Sequence, residues 1–491
     1  MKTRARIWLA TVVVGSLLSC SPSHRTSLQS KIDEYMRRMT ARGFSGALLV
    51  AKEGKIILAK GYGLSDRQRG VPVTAATVFT VGSITKQFTA TAILKLQQMG
   101  KLNVHDPITR FFPDVPLDKA DITLHHLLTH TAGFPGAIGD DFEPIGRQEF
   151  VALAMRTPLL FAPGERYHYS NVGYSLLGAI IEELTGRPYE RFLHEHLFAP
   201  AGMAETGYVL PSWKEGQLAH GYRGARDWGT LRDHPWGSDG PYWHLRANGG
   251  ILSTVGDLYK WHLALESDCI LPDSLRALLS HPFVREGPDA DSFYGYGWSI
   301  STTPRGTRLV AHSGGNGIFS ADLLRFLDEG VAIICLANGA GKPAWQVSQS
   351  VARIVFGERY ELPPEKTELL DLATLASSPM GAHAMALLEI LARGDTGAAA
   401  RNLSVHFAES YCQPERRQRL LAFVQRVGSR QAPLRLVKAE KVGPATLEFT
   451  AQSEKTGDWW LLTIDFEEQA PHRIAGIRMQ DTVPPEGQEE Q

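Results

Sequence analysis

Val78-Phe79-Thr80-Val81-Gly82-Ser83-Ile84-Thr85-Lys86-Gln87-Phe88 runs on to Gly100 and reads as an apolar approach segment that becomes a helix at Ser83. Phe88, Ala92, Leu96 and Met99 recur at helical spacing, and Gly100 is a stop. Ile93 and Leu94 are apolar on other faces, so the helix is expected to be largely buried. Ser83 and Lys86 are three residues apart and share one face of the first turn. That turn carries unpaired N–H groups and the positive end of the helix dipole. A serine there is placed to attack a carbonyl, with its own N–H available to the oxyanion that forms.

A Ser-x-x-Lys pair also has a plainer reading, an N-cap serine with a solvated lysine one turn on. Two features oppose it. A cation at the start of a helix is disfavoured by the dipole, and the apolar surroundings would desolvate the ammonium. To act as a base near neutrality, Lys86 must lose roughly 3 units from a reference of about 10.4, or about 4 kcal/mol of differential interaction. If it stays charged, a second group elsewhere in the chain must take the proton.

The chain has 491 residues, 43% hydrophobic and 21% charged, which are globular values with ample length for a large core. A net charge of -1 carries no polyelectrolyte character, so nucleic acid is not an expected partner. Lys2, Arg4 and Arg6 precede an apolar run from Ile7 to Leu18, too short for an ordinary transmembrane helix and read as an export signal over residues 1–19. Leu17-Leu18-Ser19-Cys20 resembles a bacterial lipoprotein box, with Cys20 as the lipidated first residue and residues 20–29 as a tether. On this reading the membrane is met only through a lipid anchor, at the cell envelope, facing the periplasm or the exterior. Three further cysteines, Cys269, Cys335 and Cys412, make no disulfide framework. Cys335 lies in an apolar strand-like run and reads as a core thiol, while a Cys269–Cys412 pair is the less favoured alternative.

Ile32 to Met39 reads as a short helix, followed by strands at 46–51 and 55–59 around a Lys52-Glu53-Gly54 turn. This hairpin is expected to start a central antiparallel sheet. His126 and His130 stand at i, i+4, but no glutamate completes a metal motif, so they read as structural histidines at a helix end before Gly133. No cofactor is implied. Residues 162–171 form a polar turn-rich loop leading into a helix from Val172 to Leu184, stopped by Gly186; a short helix is expected from Pro188 to Leu197. Positions 207–247 are irregular, and Trp228, Trp236, Tyr242 and Trp243 either line a cleft or simply pack. Asn248-Gly249-Gly250 precedes a helix from Val255 to Leu265. Strands are expected at 294–298, 307–311, 320–325 and 330–337, and a helix from Trp345 to Phe356 closes the unit. After a break at Leu362-Pro363-Pro364, helices at 384–391 and 415–427 and strands at 434–438, 446–452, 459–467 and 474–480 suggest a small α+β domain over 365–483.

Three polar motifs occur in order: Ser83-x-x-Lys86 opening a helix, Tyr169-Ser170-Asn171 on a loop before a helix, and His312-Ser313-Gly314-Gly315 at a strand end. Singly these are a cap, a turn and a glycine-rich strand end. Together they resemble the penicillin-recognising serine hydrolases, specifically the class C β-lactamase-like family, which also contains D-peptidases and esterases. The resemblance spans about residues 30–357 and includes residues 126–133, Gly249-Gly250, residues 295–298 and Leu336-Ala337-Asn338.

The resemblance implies an α+β fold over 30–358, an antiparallel sheet flanked by helices with a mainly helical insertion. It implies Ser83 as nucleophile forming an acyl-enzyme, with Lys86 and Tyr169 sharing its proton and Tyr169 the favoured base. Asn171 would orient Lys86 and the substrate amide, and the N–H groups of Ser83 and Gly315 would hold the oxyanion. One departure stands out: His312 occupies the place where many β-lactamases carry lysine to attract the substrate carboxylate, though Ser313 keeps the hydroxyl. Efficient β-lactamase action is therefore not expected. The first reading is an exported serine hydrolase acting on an ester, amide or D-amino acid peptide bond in a small molecule or short peptide. The alternatives are a true β-lactamase and a penicillin-binding or sensing protein that acylates and stops.

Overall fold

The structure is a computed structural model that describes residues 27–360, 362–363, 368–371 and 375–482. The export signal, Cys20 and the tether as far as residue 26 lie outside the described residues, as does part of the break at 362–364. Among the described residues no helix is long and apolar enough to cross a membrane.

Helix α1 (Leu28–Ala41) is capped by Ser27, whose side chain accepts from the Ser30 amide. Strands β1 (Gly46–Lys52) and β2 (Lys55–Tyr62) follow as a hairpin, with Glu53 and Gly54 at positive φ in the turn. Helix α2 (Thr85–Gln98) and helix α3 (Asn171–Thr185) form the centre of the helical body, and helix α4 (Val255–Ala264) returns the chain to the sheet. Strands β3 (Val284–Arg285), β4 (Ser292–Tyr294), β5 (Ser299–Thr302), β6 (Arg308–Gly315), β7 (Ser320–Phe326) and β8 (Val331–Ala337) complete an eight-stranded sheet, closed by helix α5 (Ala344–Phe356). Its order is β2-β1-β8-β7-β6-β5-β4-β3, and every pairing is antiparallel.

The sheet is covered on both faces. Ala47, Leu49 and Ala51 of β1 face the helical body, while Leu48 and Val50 face α1 and α5. Strand β8 splits likewise, Ile334 and Leu336 one way, Ile333 and Cys335 the other. Such strands read as unbroken apolar runs because neither face meets water.

Helix α2 carries Thr85, Thr89 and Thr91, β-branched residues of modest helix propensity, so packing fixes it. Phe88, Ile93, Leu94 and Leu96 are each 0% exposed, and each such side chain stabilises by about 1.5–3 kcal/mol.

The second unit has its own core. A five-stranded antiparallel sheet contains strands β9 (Glu368–Leu369), β10 (Leu434–Gly443), β11 (Thr446–Ser453), β12 (Trp459–Phe466) and β13 (Ile474–Asp481). Helices α6 (Pro379–Arg393) and α7 (Pro414–Arg430) pack on it through Leu387, Leu391, Leu420 and Val424. Arg42 after α1 pairs with Glu448 of this sheet, one polar link between the units.

One expectation is corrected. The strand expected at 294–298 is confined to Tyr294, which ends β4; residues 295–298 are the turn joining β4 to β5: Gly297 takes φ +79, and a Cβ on Gly295 would fall 2.4 Å from the Leu279 carbonyl oxygen. Cys269 and Cys412 are exposed free thiols, so they form no pair. Cys335 is fully buried.

Candidate active site

Helix α2 is entered through a single 3-10 turn, Gly82–Ile84. Gly82 has φ +53, and a Cβ there would fall 2.3 Å from the Gly315 nitrogen. On the facing strand, a Cβ on Gly314 would meet the Val81 carbonyl oxygen at 2.1 Å and the Ser83 nitrogen at 2.8 Å. Both positions thus need glycine so that the two backbones can touch. The contact sets the Gly315 amide beside the turn that carries Ser83, as an oxyanion site built from those two N–H groups requires.

Lys86 is 0% exposed. Its Nζ lies 3.1 Å from Ser83 Oγ, 2.8 Å from Asn171 Oδ1 and 2.8 Å from the Asn248 carbonyl oxygen. Burial holds its pKa well below the ordinary lysine value, opposed only by the more distant charge of Asp141. Asn248 is itself fixed, its Nδ2 donating to Ser175 Oγ and to the His244 carbonyl, each at 2.8 Å.

The Tyr169 phenol is hydrogen-bonded to Ser83, and Lys86 Nζ stands 4.7 Å from the Tyr169 ring centroid. Burial pushes the phenol above its usual value, and the bond to Ser83 offsets this only in part. His130 positions this loop. Its Nδ1 accepts from the Ser170 amide at 3.1 Å, and its ring lies 4.3 Å from that of Tyr169 and 4.6 Å from that of Tyr294. His130 holds φ +60, an uncommon conformation for a residue with a Cβ. His126 is a local capping residue, its Nδ1 accepting from the Thr123 amide. Both histidines are therefore tied into the backbone.

His312 is 7% exposed. Its Nδ1–H donates to the Ser313 carbonyl oxygen at 2.6 Å, and its Nε2 accepts from the Tyr294 hydroxyl at 2.9 Å. Burial, with a smaller contribution from Lys86, lowers its pKa to about 4. The imidazole is neutral at pH 7.

Ser83, Tyr169, His312, Ser313 and Gly315 line one cleft of about 400 Å³, with Lys86 hydrogen-bonded to Ser83 and Asn171 in turn to Lys86. The sequence motifs pass over four contributors: the Asn248 carbonyl, His130, Tyr294 and Glu286. Tyr294 ends β4, at the start of a run whose turn looks like a strand in sequence. The carbonyl of Asn248 has no residue-type signature at all. The aromatic residues of 207–247 pack instead of lining this cleft: Trp228 stacks on His234 with centroids 3.6 Å apart, and Trp243 is buried.

A family model described as Beta-lactamase matches residues 28–353. Penicillin-binding protein 4* of Bacillus subtilis (strain 168) is 29% identical over 348 residues, covering 65% of this chain and 74% of that one. The D-amino acid amidase from Ochrobactrum anthropi SV3, solved with D-phenylalanine, superposes with a TM-score of 0.55 at 25% identity, covering 68% of this chain and 99% of that one. The octameric penicillin-binding protein homologue from Pyrococcus abyssi shares the fold over 89% of this chain and 96% of its own, at a TM-score of 0.60 and 23% identity.

Proposed function

The chain belongs to the Beta-lactamase family, and from that premise we propose that it is a serine hydrolase working through an acyl-enzyme on an ester, amide or D-amino acid peptide bond. One observation carries the reading. Lys86 Nζ meets two carbonyl oxygens and one hydroxyl. A neutral amine gives its two N–H groups to the carbonyls and keeps its lone pair for Ser83 Oγ–H.

In acylation, Ser83 Oγ attacks the substrate carbonyl carbon and its proton passes to Lys86 Nζ. The carbonyl electron pair moves to oxygen, held by the Ser83 and Gly315 N–H groups. On collapse the bond to the leaving group breaks, and the leaving group takes the proton from Lys86, relayed through the Tyr169 hydroxyl. Water then attacks the acyl-Ser83 ester by the same route in reverse. Tyr169, the base favoured by the family resemblance, serves here as a relay, because burial keeps its phenol protonated.

Neutral His312 supports ester or amide hydrolysis over β-lactamase action, since it offers no cation to a β-lactam carboxylate. The test follows the absorbance change and intact mass together when the chain from Ser21 onward meets a short-chain nitrophenyl ester or a chromogenic cephalosporin. Steady ester turnover with slow or absent cephalosporin turnover is expected. A stable adduct with no turnover of either would instead make the protein a penicillin-binding sensor. We also propose export and lipidation at Cys20, on the strength of the basic and apolar N-terminal run. Fatty-acid labelling that persists in Cys20→Ser would remove that part.

A further inference from the structure

Glu286 takes no part in the acyl transfer above, yet its side chain lines the same cleft as Ser83. It directly follows edge strand β3, and its amide donates to the Ser292 carbonyl at 3.0 Å. The carboxylate is pinned from one side: Ser299 Oγ donates to Oε2 at 2.6 Å. The Tyr167 hydroxyl reaches Oε1 only at 3.5 Å, the outer limit of a hydrogen bond. Ser299 stands opposite Ala311 in the β5–β6 ladder, and His312 is the next residue, so the carboxylate is held one strand away from the His312-Ser313 motif. Tyr167 is two residues before Tyr169. Oε2 is thus occupied by a short bond, while Oε1 keeps acceptor capacity toward the partly open cleft.

The charge of the lining is one-sided. Among the described residues its lining includes neither lysine nor arginine, and Glu286 is its one carboxylate. His312 is neutral near pH 7, and Lys86 is displaced toward its neutral form. A cleft with walls of one sign attracts the opposite charge and repels its own. An ammonium is favoured there and a carboxylate is not.

We propose that Glu286 is the subsite for a substrate ammonium group, so that the preferred substrates are amides and esters bearing a free primary amine, such as unblocked aminoacyl amides. The inference rests on the acyl-enzyme reading of the same cleft. The Glu286 carboxylate would receive the amine through Oε1, with Ser299 keeping the acid in place. Blocking the amine removes both the charge and two of its donors.

The test uses the full chain purified in detergent. Alanine 4-nitroanilides of both hands are compared with their N-acetyl counterparts, and 4-nitrophenyl butyrate reports neutral-ester hydrolysis. A charge-assisted hydrogen bond predicts a preference for the free amine of about tenfold to a hundredfold in kcat/KM. Glu286→Gln should bring that ratio to about one, chiefly through KM, and Glu286→Asp should restore part of it. A ratio unchanged in Glu286→Gln, or no preference in the unaltered protein, overturns the proposal. Should the variants not fold, the unaltered protein still decides. Benzylamine should inhibit butyrate hydrolysis at least about tenfold more tightly than benzyl alcohol, and equal inhibition overturns the proposal. Absence of Ser83-dependent ester hydrolysis would defeat the acyl-enzyme reading and this inference together. Ser83-dependent hydrolysis without an amine preference defeats this inference alone.

Discussion

Lys86 Nζ stands 3.1 Å from Ser83 Oγ, one helical turn along the chain and with no part of the lysine exposed to solvent. Among the described residues no carboxylate shares a hydrogen bond with that amine; its other partners are the Asn171 side-chain oxygen and the Asn248 carbonyl. An unpaired buried ammonium costs several kcal/mol, so the neutral amine is the form this packing favours.

This burial predicts how stability varies with pH. Folded Lys86 binds its proton less tightly than unfolded Lys86, whose value is 10.5. The unfolded chain therefore holds more protons between the lowered folded value and 10.5, and stability rises with pH across that window by up to about 1.4 kcal/mol per unit. Lys86→Met lacks the linkage. In urea unfolding, its stability advantage over the unaltered protein should widen as pH falls from 10.5 toward the folded value, then level off. A difference that stays constant across pH 7–10.5 would show that Lys86 is buried charged.

Lys86→Arg should destroy activity. A guanidinium stays charged at all working pH values and has no lone pair for the Ser83 proton. Loss of a positioned base predicts a fall in aryl-ester kcat/KM of about 10²–10⁴. Activity within a few-fold of the unaltered protein would mean that Lys86 acts only as a charge.

Gly314→Ala tests the oxyanion site through the backbone. A methyl there meets the Val81 carbonyl and the Ser83 nitrogen, so β6 must move away from the α2 turn. Overpacking of this kind costs about 1–3 kcal/mol of stability, and losing one oxyanion donor costs about 10²–10³ in kcat. Thermal unfolding and ester kinetics together check it. A normal kcat would place the oxyanion site elsewhere.

His312→Lys should raise kcat/KM for substrates bearing a carboxylate relative to neutral esters, because the native imidazole carries no charge at pH 7. The added ammonium also loses the bond that Nε2 accepts from Tyr294, so absolute rates should fall for neutral esters. Equal change in both substrate types would contradict the role given to His312.

What could be read from the residues alone depended on how local the cause was. Ser83 lies in the 3-10 turn that leads directly into the helix of Lys86, three residues before it, so their meeting follows from local geometry. The sheet strands buried on both faces announced themselves as apolar runs, and Gly100 and Gly186 marked helix ends by their left-handed conformation. The turn after Tyr294 is hidden in the sequence because two glycines in an aromatic run look like a weakened strand, whereas Gly295 and Gly297 serve a tight turn against neighbouring backbone. Asn248 contributes a main-chain oxygen, which any residue type could supply. Glu286 directly follows a two-residue edge strand, and only the β3–β6 pairings bring it into the cleft.

Peptide mapping of the acyl adduct, trapped by acid quench during turnover of an aryl ester, tests Ser83 as the nucleophile. The expected result is an acyl group on the peptide containing Ser83, absent from Ser83→Ala. An adduct on another residue, or one that persists in Ser83→Ala, would contradict it.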